Sequence, residues 1–201
     1  MEGHDATTRL PRAVLFDMDG TLTRPMLDFP RIKAEMGIGT RPILEALAEM
    51  DEAARRAAEA VLLRHEEEAA AGSTLNEGCR DLLEWLAGRR IPTALITRNS
   101  RTSVLTVLER HGLRIDLTVA REDAPPKPDP RPLLLACERL GVAPAEAWMV
   151  GDGQYDVEAG AAAGMATVWV SHGRERTFGA EPWRTVRDLC DLQALLQQAV
   201  K

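Results

Sequence analysis

No apolar run in the 201-residue sequence approaches the roughly 18 residues that a membrane-spanning helix requires. The polar N-terminal stretch MEGHDATTRLPR also lacks the apolar segment of a signal peptide, so the expected location is cytoplasmic, without a membrane partner. Cysteine is scarce: Cys79, Cys137 and Cys190 lie far apart, form no CxxC or Cys/His cluster, and are expected as reduced thiols. Excess positive charge is missing too. The net charge is −6, which does not mark the protein for nucleic acid or anionic membranes. There is no Walker A loop, internal repeat or low-complexity linker. What remains, 45% hydrophobic and 28% charged, is the composition of an ordinary globular protein. Its length suffices for one substantial core with a small inserted domain.

Short apolar runs alternate with helical patterns. AVLF (13–16), TALIT (93–97), IDLTVA (115–120), AWMVG (147–151) and ATVWV (166–170) read as strands. Several are apolar on both faces, as in a parallel sheet covered on both sides. Helices are expected near 76–89, 100–112, 130–140, 154–163 and 188–199. This alternation predicts an α/β fold with a doubly wound parallel sheet. Between the first two strands the rhythm breaks. DFPRIKAEMG (28–37), RPILEALAEM (41–50) and 51–71 are helical in character, with Ala54, Ala58, Val61, Leu62 and Ala69 on one stripe of the last. Residues 23–74 are therefore expected as a small α-helical insertion into a core formed by 1–22 and 75–201. The acidic run 66–68 reads as a solvated helix face, and His65 as packing at the edge of the stripe.

Ligand sites of open parallel sheets lie at the carboxyl ends of the strands. Here the first strand ends in Asp17-Met18-Asp19-Gly20-Thr21 and the second in Thr97-Arg98-Asn99-Ser100. After the third comes EDAPPKPDP, with Lys127 in a proline-stiffened loop and Asp129 expected to cap a helix beginning at Pro130. The fourth ends in GDGQYD, with Asp152 and Asp156. Clustered carboxylates need a cation, and an all-oxygen site suits Mg²⁺. A hydroxyl and a fixed ammonium beside such a metal suit a phosphoryl group. A carboxylate can attack phosphorus, and a second one two residues on can move the protons. Backbone N–H groups around Asp19–Thr21 and after Thr97 are expected to cradle phosphate oxygens, with Gly20, Thr21, Arg98 and Asn99 as contacts.

At this point the sequence resembles the haloacid dehalogenase superfamily. DMDGT looks like its first motif, Thr97 its second, Lys127 its third and GDGQYD its fourth, in the family's order over nearly the whole chain. The resemblance implies a Rossmann-like core and a Mg²⁺-dependent, phosphoglycolate-phosphatase-like hydrolase acting on a small phosphorylated metabolite. It implies Asp17 as nucleophile and metal ligand, and Asp19 as general acid/base and, through its backbone carbonyl, a further metal ligand. Thr97 and Lys127 would be phosphate ligands, and Asp152 and Asp156 metal-site carboxylates, Asp156 directly or by orienting the metal's waters. The insertion resembles the cap of subclass I members. A monomer is expected.

Competing readings are a phosphomutase returning the phosphoryl group to a sugar, a receiver-like phospho-acceptor module, and a catalytically idle binding protein on the same fold. GDGQYD is not a dinucleotide fingerprint, since Asp156 stands where the third glycine belongs. RPMLDF (24–29) and the basic residues Arg24, Arg31 and Lys33 are where substrate contacts are expected. His172 is placed to approach the site, Trp148 and Trp169 read as core, and Trp183 has no assignment.

Overall fold

The computed structural model describes residues 10–199. The first nine residues of the polar N-terminal stretch, and 200–201 at the end of the expected core, lie outside it. Six parallel strands form one sheet: β1 (Ala13–Phe16), β2 (Thr93–Ile96), β3 (Leu117–Val119), β4 (Ala147–Gly151), β5 (Ala166–Val170) and β6 (Arg184–Val186). Their order is β3-β2-β1-β4-β5-β6. Every residue of β1 is buried, because alternate side chains enter different cores. Val14 and Phe16 join the cluster built with α4 (Cys79–Gly88), α5 (Arg101–His111) and α8 (Leu189–Gln198). Ala13 and Leu15 join the one built with α6 (Arg131–Leu140) and α7 (Gln154–Ala162). The sheet is thus covered on both faces, as the unbroken apolar runs predict.

The order reverses between β1 and β4, the point at which crossovers diverge to opposite faces and leave a crevice above the strand ends. Asp17 and Asp152 follow these two strands directly.

The stretch between β1 and β2 forms α1 (Phe29–Glu35), α2 (Ile43–Ala48) and α3 (Glu52–Gly72) before α4. Asp28 and Asp51 cap α1 and α3, accepting from Arg31 N at 3.0 Å and Ala54 N at 2.9 Å. Ile32, Ile38, Ile43, Leu47 and Leu62 pack into a cluster of their own.

Several expectations need correction. β6 was not foreseen, because Arg184 and Thr185 are exposed and only Val186 is buried. Trp183, just before it, packs against Trp148 with ring centroids 4.9 Å apart. The buried row of α3 runs Ala58, Leu62, Glu66, Ala70, with His65 beside it, whereas Ala54 is exposed. Glu66 is therefore not on a solvated face: it is 2% exposed, while Glu67 and Glu68 are exposed as expected. Helix α6 starts one residue later than predicted. Asp129 still accepts from Arg131 N at 2.9 Å. Cys79 and Cys137 are buried and Cys190 exposed, all as free thiols. Among the described residues, no helix is long and apolar enough to cross a membrane.

Candidate active site

The turn after β1 is held from both sides. Met18 O accepts from the amides of Thr21, Leu22 and Thr23, and Asn76 Nδ2 donates to the carbonyls of Gly20, Thr21 and Thr23 at 3.2, 2.8 and 3.0 Å. His172 Nε2 approaches Gly20 O at 2.6 Å. Gly20 has φ +84, and a Cβ there would stand 2.5 Å from Asp152 Cγ. The residue must be glycine both for its backbone and for the carboxylate that fills its missing side chain. Gly151 is a second close approach, where a Cβ would meet Asp156 Cγ at 2.2 Å.

Lys127 lies at the centre, 2% exposed. Its ammonium donates to Asp17 Oδ1 at 2.7 Å, Asp156 Oδ1 at 2.6 Å and Ile96 O at 2.7 Å, which accounts for all three of its N–H groups. Burial pulls its pKa down, but Asp156 and Asp17 outweigh burial and leave it raised. Asp17 shows the opposite contest. Burial pushes its carboxyl well above the ordinary range, against the pull of Lys127 and with a further push from Asp156.

Asp19 is also raised, chiefly by burial, against hydrogen bonds from Asn99 and Thr23. Asn99 Nδ2 donates to Asp19 Oδ2 and Thr23 Oγ1 to Asp19 Oδ1 at 3.3 Å, so both oxygens are oriented. Asp152 is raised by burial in spite of Arg174, which reaches its Oδ2 at 3.0 Å. Trp169 is core as expected, yet its Nε1 donates to Asp152 O at 3.1 Å and steadies the loop. Asp156 accepts from Gly153 N at 3.0 Å at the start of α7 while engaging Lys127.

Carboxylate oxygens of Asp17, Asp152 and Asp156 come within 4.8 Å of one another. Lys127 and Arg174 cannot balance these groups and Asp19 together, and burial makes the surplus negative charge costly. An all-oxygen donor set under that strain fits a small hard divalent cation.

The remaining predicted residues are placed differently from one another. Thr97 is buried at the end of β2, its Oγ1 accepting from Asn99 N at 3.1 Å. Arg98 donates to both oxygens of Glu45 at 3.0 and 2.9 Å and to Lys127 O, with its guanidinium 4.4 Å from the Tyr155 ring centroid. The amides of Gly20 and Thr21 are not free to cradle an anion. They donate within the turn, to Thr23 O at 2.8 Å and Met18 O at 3.3 Å, and the Thr21 side chain is fully buried. Arg31 pairs with Glu35 away from the strand ends, whereas Leu27, Phe29 and Lys33 line a cavity of about 460 Å³ above them. Arg24 lines a second cavity beside Asp152 and His172. His65 packs with its Nε2 3.2 Å from Glu35 Oε2.

Sequence reasoning missed Asn76, Arg174, Glu45 and Glu66. Arg174 follows the end of β5, so extending the strand-end rule by one strand would have found it. Glu66 lies on the four-residue spacing 58–62–66–70. It accepts from Ser100 N at 3.2 Å and from Arg121 Nη1 at 2.6 Å, and so fixes the start of α5. Nothing local marks Asn76 or Glu45, whose partners are remote in sequence.

The family model described as haloacid dehalogenase-like hydrolase matches residues 11–164. A phosphoglycolate phosphatase of Chromobacterium violaceum is 33% identical over 216 aligned positions, covering 92% of this chain and 96% of the relative. An N-acetylmuramic acid 6-phosphate phosphatase of Pseudomonas putida is 33% identical, with 81% and 83% covered. Among solved structures, a hydrolase from Pseudomonas syringae superposes with a TM-score of 0.77 at 21% identity, with 92% of this chain and 98% of that one covered; it shows the shared fold. By the extent of these matches, the chain belongs to the haloacid dehalogenase-like hydrolase family.

Proposed function

We propose that the chain is a Mg²⁺-dependent phosphatase that hydrolyses a small phosphate monoester through an aspartyl-phosphate on Asp17. The observation that carries this reading is the meeting of Asp17, Asp152 and Asp156 around buried Lys127 at the point where the sheet order reverses. The phosphatase names of the relatives support it.

Asp17 attacks phosphorus as Asp19, held by Asn99 and Thr23, protonates the departing oxygen. Asp19 then takes a proton from water as that water attacks the acyl phosphate, which releases inorganic phosphate and restores Asp17. Burial raises the Asp19 pKa, and a raised pKa suits the acid half of that cycle. Lys127 opposes the burial of Asp17 and favours its ionised, nucleophilic form. Asp17, Asp152, Asp156 and the Asp19 carbonyl would hold Mg²⁺, which when bound neutralises phosphoryl charge. Thr97 supplies a hydroxyl to the phosphoryl group. Residues 23–74 act as a cap over a core formed by 1–22 and 75–201.

The test is phosphate release from p-nitrophenyl phosphate with Mg²⁺, in wild type and Asp17→Asn. Loss of turnover in the variant, with its fold intact by circular dichroism, is expected; near-normal turnover would sink the proposal. With a sugar phosphate as substrate, release of inorganic phosphate separates hydrolysis from return of the group to the sugar.

A further inference from the structure

The cavity of about 460 Å³ between α1–α3 and the strand-end loops bears on which ester is cleaved, an inference that rests on the phosphatase reading above. Asn99 connects it to the chemistry. This side chain lines the cavity and also donates to Asp19, the group proposed to protonate the leaving oxygen, so the leaving alcohol faces this space. Its volume lies within the range of small-molecule sites and far exceeds a two-carbon acid. Leu27, Phe29, Ile43, Leu44, Leu62 and Tyr155 give the wall its apolar part.

The charged groups at the inner wall are already matched. Arg98 is held by both oxygens of Glu45 and by Lys127 O, with Tyr155 against its guanidinium. Glu66 is held by Arg121 and Ser100 N. The other cations of the lining are Lys33, which donates to Thr40 O at 3.2 Å, and exposed Arg176, whose guanidinium lies 5.7 Å from the Phe178 ring centroid. Among the lining cations only Arg98 is paired with a carboxylate, so a carboxylate one carbon from the phosphate ester, as in phosphoglycolate, would have to reach Lys33 or Arg176 for a counter-charge and would otherwise leave water for apolar side chains. A ring face there would gain contact.

We infer that this chain prefers a phosphate monoester whose leaving alcohol is ring-sized and apolar-faced over the small carboxylate ester named for several of its relatives. Benzyl phosphate and 2-phosphoglycolate both release a primary alcohol, so their comparison reports recognition of the leaving group more than intrinsic reactivity. With Mg²⁺, kcat/KM for benzyl phosphate is expected to exceed that for 2-phosphoglycolate by at least about tenfold. Leu44→Ala, which removes apolar wall, should narrow the ratio. Glu45→Gln, which releases the charge of Arg98, should narrow it by raising turnover of 2-phosphoglycolate. A ratio at or below one, or one that neither variant changes, overturns the inference while phosphate release keeps the phosphatase reading intact. Absence of phosphate release from both esters and from p-nitrophenyl phosphate would instead remove the phosphatase reading, and this inference with it.

Discussion

Lys127 Nζ sits 2.7 Å from Asp17 Oδ1, joining a loop between β3 and α6 to the end of β1 across 110 positions of sequence. The same ammonium holds Asp156, so one buried cation fixes two carboxylates of the site.

Replacing it by a neutral residue of similar length should therefore damage stability as well as activity. For Lys127→Met we expect a loss of about 3–5 kcal/mol, because Asp17 and Asp156 would remain buried without their counter-charge. Urea unfolding without metal measures it, and an unchanged midpoint would contradict the role given to the pair.

The raised acids predict a pH-dependent response to metal. Asp17, Asp19 and Asp152 are raised by burial, so folding favours their protonated forms. Their contribution to stability is present below the unfolded value of about 3.9 and is lost as pH rises through the folded values. A cation bound by the ionised groups offsets that loss. The gain in Tm on adding MgCl₂ should thus grow from acid to neutral pH, read by thermal melts across that range.

Asp19→Asn should lower kcat/KM by about 10²–10⁴-fold for an alkyl phosphate, whose leaving oxygen needs a proton. The loss in the first step should be smaller for p-nitrophenyl phosphate. Single-turnover kinetics with the two esters make the comparison, and equal losses would remove Asp19 as the acid.

Glu66→Ala would leave Arg121 and Ser100 N without their buried acceptor, for an expected cost of about 2–4 kcal/mol in urea unfolding. Glu67→Ala, on the exposed side of the same helix, should cost less than about 0.5 kcal/mol.

The contrast between those two glutamates marks how far the sequence could be read. Strands β1, β2, β4 and β5 were legible because a doubly covered parallel sheet writes itself as unbroken apolar runs, and the proposed site follows because polar residues ending such runs share one edge. Asp17, Asp19, Thr97, Lys127, Asp152 and Asp156 were all named on that ground. The edge strand β6 was not, since a half-exposed strand of three residues has no apolar run. Glu66 was misread because a buried charge is recognisable only through its partner, and Arg121 lies 55 positions away. Arg98 and Asn99 are expected as phosphate contacts from their place after β2, whereas their engagement with Glu45 and Asp19 is tertiary and has no local sign.

The paired chain segments below α1–α3 carry a consequence for how the fold tolerates change. Thr23 bridges Leu75 in antiparallel fashion, Arg24 N donates to Thr74 O at 2.9 Å and Asn76 N to Leu22 O at 2.9 Å, so the chain departs and returns side by side. With its ends already joined, that excursion adds little loop-closure entropy whatever its length, because closure cost grows only logarithmically with the number of residues enclosed. The sheet and its acidic edge can thus accept a longer or shorter excursion at the same doorway, provided that an acceptor in the place of Glu66 still meets Ser100 N and Arg121 at the start of α5.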